Sequence, residues 1–362
     1  MEQVRNDVYP IDRELSSRIT ILRVILTVFI VYIHIYNISD VNFSDGNFLM
    51  EEQPIWLLGI KSAITQVIAR VGVPLFFLVS SVLLYSKPFT WAGNIKKKCR
   101  SLLVPYLIWN TFWILFFFTA QTLEFTKPFF ATRIIREYSP FKLFACYIPI
   151  AGLDASPFCY PLWFLFDLFT LNLLAKAIKV CADRVPLLLI AACACMWILG
   201  LELYVVSAEA LMFFVLGYFI VKNRWDVKKI DSLSVADVSA AWVVSVLVAI
   251  PWFSLYPVTL KASILIGMIF FIKISKIIAS GNGILKKVIE WLAPNTFMIY
   301  VTHEFTMTVL KKIVVRALPQ TYVTQLVEYL MIPLIIVAVC ALWSMAFKKT
   351  LPKIYNIFVG NR

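Results

Sequence analysis

Arg23 and His34 stand eleven positions apart in LRVILTVFIVYIHIYN (22–37), a run that is otherwise almost wholly apolar. Arginine offers a planar fork of donors that matches a phosphate, and an imidazole of ordinary pKa, about 6.5, can take a proton from a hydroxyl near neutral pH. On a helix eleven positions make about three turns, so both side chains share one face roughly 16 Å apart along the axis. The chain has 2 histidines in 362 residues, so His34 is not background usage. The spacing suits a long ligand that is anionic at one end and reacts at the other.

The element that must carry this pair is a membrane helix. Hydrophobic residues make up 61% of the chain, charged ones 15%, and mean hydropathy is +0.82, more apolar matter than a soluble domain of this length can hide. The apolar runs are continuous rather than alternating, and about 20 residues of helix cross a bilayer. The expected fold is therefore an all-α polytopic membrane protein forming one domain over 1–362, with no soluble C-terminal domain. About ten transmembrane helices are expected, near 19–37, 64–85, 100–120, 161–180, 186–203, 206–221, 235–253, 258–278, 288–310 and 325–347. No cleavable signal precedes the first span. The longest connection, 121–160, runs into an apolar patch, FKLFACYIPIAG (141–152), that suits a re-entrant or interfacial segment.

The net charge of +13 would suggest nucleic acid in a soluble chain, but here the basic residues sit in short clusters between spans. They concentrate in alternate connections beginning with the N-terminal segment, which by the positive-inside rule places both termini in the cytoplasm. Asp40, Asp45, Glu51 and Glu52 give the first external loop the opposite sign. Cys181, Cys193, Cys195 and Cys340 fall in or beside spans, and no cysteines show metal-ligand spacing; no metal is expected.

Ionisable groups within lipid cost about 2.5–3.5 kcal/mol each and need partners or a wet cavity. Counted at 1.5 Å per residue, His34 lies roughly 22 Å from the inner end of its span and His303 at about the same height, while Arg70 and Asp167 lie roughly 9 Å below the outer face. Glu209 and Glu304 fall near that level, so imidazole, guanidinium and carboxylate groups are expected in one layer. Plainer readings stand beside this one. Arg23 also fits a snorkelling anchor, either histidine a structural hydrogen bond between helices, and Arg70, Asp167 and Glu209 a structural ion-pair group.

Arg23 and His34 in RVILTVFIVYIH resemble the R-x10-H signature of the membrane-bound acyltransferase 3 family, whose members O-acylate bacterial surface glycans from acyl-CoA. GVPLFFLVSSVLLYSK (72–87), KKKCRSLLVPYLIWN (96–110), PLWFLFDL (161–168), FFVLGYFI (213–220), NTFMIYVTH (295–303) and LPKIYNIFVG (351–360) follow in family order. The resemblance covers essentially the whole chain. Two positions depart from it: Ser80-Ser81 stands where Ser-Gly is usual, and Lys98-Cys99-Arg100 where the family has Arg-x-Arg.

The resemblance implies an enzyme of the bacterial inner membrane, similar to those that modify O-antigen or other lipid-linked polysaccharides. Acyl-CoA, expected to be acetyl-CoA, would bind by its phosphates at Arg23, Lys98 and Arg100. Its thioester would reach His34, the base toward a hydroxyl of a glycan or lipid-linked saccharide, or the carrier of the acyl group itself. Asp167, Glu304 and His303 are expected to support the catalytic imidazole, and Arg70 and Glu209 to contact substrate. The expected partners are thus acyl-CoA, a saccharide acceptor and the bilayer, with no nucleic acid. A proton-coupled transporter, or a non-enzymatic polysaccharide assembly or export factor, would also hold such groups within a bundle.

Overall fold

The computed structural model describes residues 9–35, 42–43, 46–47, 53–130, 133–149, 156–201, 203–250 and 256–361. Asp40, Asp45, Glu51 and Glu52 of the first predicted external loop, and residues 150–152 of the FKLFACYIPIAG patch, lie outside them. In chain order the helices are α1 (Arg13–His34), α2 (Ile55–Ser62), α3 (Gly72–Tyr85), α4 (Trp91–Lys98), α5 (Val104–Ala120), α6 (Pro140–Ala145), α7 (Trp163–Arg184) and α8 (Pro186–Leu199). They continue as α9 (Ala208–Lys222), α10 (Val235–Val248), α11 (Tyr256–Ser280), α12 (Ile284–Leu292), α13 (Thr296–Ala317), α14 (Tyr322–Thr350) and α15 (Pro352–Phe358). The strands among the described residues are two-residue pieces, β1 (Asn42–Phe43) and β2 (Gly46–Asn47), paired antiparallel.

The all-helical class follows from the apolar runs, and each of the ten predicted spans contains helix. Among the described residues five helices are long and apolar enough to cross a membrane: Arg13–His34, Ile55–Tyr85, Trp91–Ala120, Pro257–Ser280 and Tyr322–Thr350. The pair Tyr160–Arg184 and Pro186–Leu199, bent by 119°, makes a sixth if taken as one span. Length explains much of the difference from ten. With 14, 15 and 14 residues, α8, α9 and α10 extend only about 21–23 Å, against a hydrocarbon core of about 30 Å. In α13, Glu304, Lys311 and Lys312 interrupt the apolar run.

Prolines shape two of the long helices. Pro74 and Pro105 lack an N–H, so the carbonyls four residues earlier, at Arg70 and Ser101, lose their helical donors. Just before each proline the helix changes pitch. Ala63–Ile68 is π-helical and Ala69–Val71 a 3-10 turn, and Cys99–Leu103 is π-helical. Single π turns within α-helices frequently accompany functional sites; Arg70 lies in the 3-10 turn after the first and Arg100 within the second.

The chain folds as two compact units, each assembled from three separate segments. The first comprises Met1–Leu26, Val67–Cys99 and Asp167–Pro294, the second Thr27–Gln66, Arg100–Phe166 and Asn295–Arg362.

In the first unit α3 and α9 approach closely because α9 has a glycine at the crossing. A Cβ added to Gly217 would lie 2.6 Å from Ser81 Cβ and 2.7 Å from the Leu78 carbonyl oxygen, and Ser81 Oγ donates to the Phe214 carbonyl at 2.5 Å. Ser81 therefore fills a place on this seam and bonds across it. Arg18, 1% exposed, is held bidentately by Asp231 at 2.8 and 3.1 Å and donates to the Ile272 carbonyl at 2.9 Å, so its buried charge is paired. Helix α8 stops at Gly200, whose φ of 65° and the bonds Gly200 N to Trp197 O and Leu201 N to Met196 O form a Schellman cap.

In the second unit α13 packs along α14, and α15 against α5. Trp113 packs against Phe305 with ring centres 3.9 Å apart and planes tilted by 35°, and Phe117 meets Phe130, Phe158 and Phe305 at 4.9 Å each. Trp109 Nε1 donates to the Phe358 carbonyl at 3.0 Å, fixing the terminal LPKIYNIFVG segment on α5. The end of α1 is tied down beside His34: the Tyr32 carbonyl accepts from Thr65 at 2.9 Å, and the Tyr32 hydroxyl donates to the Leu330 carbonyl at 2.8 Å.

Candidate active site

His34 is the last residue of α1 and is half-buried. Its ring centroid lies 5.1 Å from that of His303, with the planes at 48°, and 6.2 Å from that of Tyr160, edge to face at 77°. His303, on α13, is fully buried. Its Nδ1 lies 3.1 Å from the Ile299 carbonyl oxygen and 2.7 Å from that of Tyr300. Carbonyl oxygens only accept, so Nδ1 carries the proton, and in the neutral ring Nε2 presents a lone pair. That buried Nε2 has no hydrogen-bond partner among the described residues. An acceptor left open in the interior calls for an explanation, and its place beside His34 supplies one.

Glu304 follows His303 on α13. Its carboxylate lies 3.6 Å from Arg133 Nη2, and the Cys159 thiol reaches it at 3.9 Å. Arg133 also donates to the Phe158 carbonyl, with its guanidinium 5.6 Å from the Phe158 ring centre, and its own carbonyl accepts from Gln121 at 2.7 Å. The turn leading into Tyr160 is pinned on both sides. Asn110 Oδ1 accepts from Cys159 N at 3.3 Å while its Nδ2 donates to the Cys146 carbonyl at 2.6 Å, and the Tyr300 hydroxyl donates to the Pro161 carbonyl. The second unit thus brings His34, His303 and Glu304 together with three residues that sequence reasoning did not select: Arg133, Cys159 and Tyr160. The available signal was their place in the longest connection, 121–160, with Cys159 and Tyr160 immediately before PLWFLFDL.

The other predicted site residues of the first unit have partners there. Asp167 Oδ2 accepts from Ser207 N at 3.0 Å and Ser207 Oγ at 2.8 Å, and Ser207 in turn caps α9 through Ala210 N. A carboxylate at a helix start is favoured by the exposed N–H groups and the dipole. Glu209, in the first turn of α9, accepts from Trp197 Nε1 at 3.2 Å, within electrostatic reach of Lys261 and Arg70; Lys261 Nζ sits 4.9 Å from the Trp197 ring centre. Arg23 is exposed on α1, and Lys98 ends α4. Arg100, which belongs to the second unit, lies in the π-helical segment against which the terminal motif packs. A Cβ on Gly360 (φ 71°) would be 2.8 Å from Ser101 Cα and 3.0 Å from the Arg100 carbonyl oxygen. Among the described residues no cluster of His, Cys, Asp and Glu is suited to hold a metal ion.

The chain is 25% identical over 247 residues, 66% of its length and 63% of the relative's, to the succinoglycan biosynthesis protein ExoH of Rhizobium meliloti (strain 1021). The match therefore spans less than two thirds of that relative. No solved structure matches the chain. The acyltransferase-domain model of the acyltransferase 3 family matches residues 17–347, a range that includes both histidines, Arg23 and every residue of the sites above except Gly360, and the chain belongs to this family of membrane acyltransferases.

Proposed function

We propose that this protein transfers an acetyl group from cytoplasmic acetyl-CoA to a hydroxyl of a cell-surface glycan or lipid-linked saccharide, in the inner membrane of a bacterium. The observation that carries the reading is the pair His34 and His303, with His34 on the same helix as Arg23. The saccharide acceptor is supported by the name of the relative, a succinoglycan biosynthesis protein. The proposal includes the ten-span topology with both termini in the cytoplasm.

In this mechanism the phosphates of the donor rest near Arg23, Lys98 and Arg100, and its narrow pantetheine arm follows α1 over the roughly 16 Å to His34. His34 takes the proton of the acceptor hydroxyl as its oxygen attacks the thioester carbonyl. The imidazolium so formed meets the Nε2 lone pair of His303, an acceptor that stabilises positive charge without moving. Collapse of the tetrahedral intermediate breaks the C–S bond, leaving the ester on the acceptor, and the departing thiolate recovers the proton from His34 as CoA thiol. Glu304, held by Arg133, borders the pair. Asp167 serves by holding the start of α9, which carries Glu209, and Arg70 and Glu209 contact substrate.

The test is acetyl transfer by the purified protein in nanodiscs, combined with the mass of surface glycans from cells with and without it. Transfer from labelled acetyl-CoA, and glycans lighter by whole acetyl groups in the deletion strain, are the expected results. A protein that neither hydrolyses nor transfers acetyl-CoA while glycan masses stay unchanged overturns the reading and returns the transporter and export alternatives.

A further inference from the structure

Tyr160 is an aromatic residue on display at a place where the surrounding chain is buried. It is 49% exposed, whereas its neighbours Cys159 and Leu162 are at 0%. The display is not slack backbone. The Tyr160–Leu162 turn is fixed by the Asn110 side chain on Cys159 N and by the Tyr300 hydroxyl on the Pro161 carbonyl, so the ring is presented in a set direction beside His34. Holding an uncovered tyrosine this way does nothing for packing, and tyrosine rings are enriched at interfaces where one end is apolar and the other wet.

Beside it, the Arg133 and Glu304 pair is open on one side: their side chains are 37% and 20% exposed. A guanidinium and a carboxylate together present donors and acceptors in a fixed plane. An apolar ring face with a few convergent polar groups is the general form of a small-ligand site. A saccharide ring matches both parts, since its C–H face is apolar and its rim carries hydroxyls that both donate and accept.

Resting on the acetyl-transfer reading above, we propose that Tyr160 is the platform on which the acceptor's sugar ring stacks, with the Arg133–Glu304 pair bonding hydroxyls at its rim. The 6.2 Å between the Tyr160 and His34 ring centres lets a sugar lying on the tyrosine bring one hydroxyl to the imidazole. Tyr160 then selects which hydroxyl is acylated by fixing the ring that bears it, and acts on acceptor use rather than donor use.

The experiment uses the full-length protein in nanodiscs with radiolabelled acetyl-CoA and, as acceptor probe, surface polysaccharide of the producing cell stripped of its acyl groups by mild alkali. Tyr160→Ala and Tyr160→Leu are expected to raise the half-saturating polysaccharide concentration about tenfold, equivalent to about 1.4 kcal/mol, while Tyr160→Phe and Tyr160→Trp stay near the unaltered protein. Leu keeps apolar bulk without a flat face, so it decides the matter if Ala folds poorly. Direct polysaccharide binding, measured without donor, separates this proposal from the one it rests on. Binding that depends on an aromatic residue at 160, in a protein that transfers nothing, keeps the platform and removes the acetyl-transfer reading. Transfer with acceptor saturation indifferent to Tyr160→Leu removes the platform and leaves the tyrosine as an interfacial anchor of the bilayer. Absence of both binding and transfer removes both.

Discussion

The two histidines of the chain face each other, His34 at the end of α1 and His303 within α13, with ring centres 5.1 Å apart. Because backbone carbonyls engage His303 Nδ1, its other nitrogen, which has no hydrogen-bond partner among the described residues, is an acceptor beside the ring assigned to chemistry. The two imidazoles are therefore not equivalent: one is fixed and buried, the other half-buried at a helix end.

That asymmetry makes distinct predictions for the two variants. His34→Ala is expected to lower acyl transfer by roughly 10²–10⁴-fold, the usual worth of a positioned base, with membrane abundance retained because an ionisable group has been removed from the bundle. His303→Ala is expected to lower kcat with little change in KM for either substrate, and the double variant to be no worse than His34→Ala alone, since the residues act as one unit. Glycan acylation normalised to membrane abundance is the measurement; near-normal acylation in His34→Ala removes the assignment.

Much of this pair was legible in the sequence, because height along a helix follows from a fixed rise per residue. The common level of His34 and His303 required only counting. Azimuth is another matter, since it depends on the neighbouring helices: Asp167 turns to Ser207, and Glu209 to Trp197, partners without a periodic signature. Arg133 and Tyr160 lie in or at the end of an irregular connection whose path no hydrophobic period fixes. The π-helical turns before Pro74 and Pro105 were legible in principle through the carbonyls that proline orphans, but the spacing of apolar residues does not tell an i→i+5 bond from an i→i+4 bond. Hydropathy alone does not fix the span number, because short helices such as α8 and α9 are as apolar as long ones.

Arg23→Lys tests the donor end. Lysine keeps the charge and the ability to reach headgroups but lacks the planar two-pronged donor. If Arg23 holds a phosphate, KM for acetyl-CoA should rise roughly tenfold, in line with about 1.5 kcal/mol for a charge-assisted bond, with kcat little changed. An unaltered KM identifies Arg23 as an anchor.

Topology is tested with reporters. A fluorescent or phosphatase reporter fused after Arg362 should report the cytoplasm, and one inserted near Asp45 the outside, according to the distribution of lysine and arginine. Reversal at either site inverts the donor and acceptor faces of the mechanism.

The α3–α9 seam predicts a suppressor. Gly217→Ala places a methyl 2.6 Å from Ser81 Cβ and should destabilise the protein by about 1–3 kcal/mol, the usual cost of overpacking. Ser81→Gly in the same chain should recover part of that loss. The recovery is incomplete because the Leu78 carbonyl oxygen, 2.7 Å from the added carbon, remains. Thermal unfolding in detergent of the two single variants and the double variant measures it, and strictly additive losses would show that the two positions do not meet.

The terminal motif makes a prediction about donor binding at a distance from any donor contact of its own. Gly360 has a φ of 71°, where a side chain is strained by about 1–2 kcal/mol, and it lies against the turn that presents Arg100, with a built Cβ 2.8 Å from Ser101 Cα and Pro105 Cγ. Backbone cannot swing aside as a flexible side chain can, so Gly360→Ala must either lift the terminal segment from α5 or shift the π-helical turn. In both cases Arg100 loses its fixed placement. KM for acetyl-CoA should therefore rise in Gly360→Ala, and Arg100→Ala introduced into that variant should add less than it does in the unaltered chain, as expected of residues in contact. Acceptor saturation is the control, since the turn carrying Arg100 is assigned to the donor alone. Full additivity of the two substitutions on donor KM would show that the terminal motif stabilises the fold without positioning Arg100.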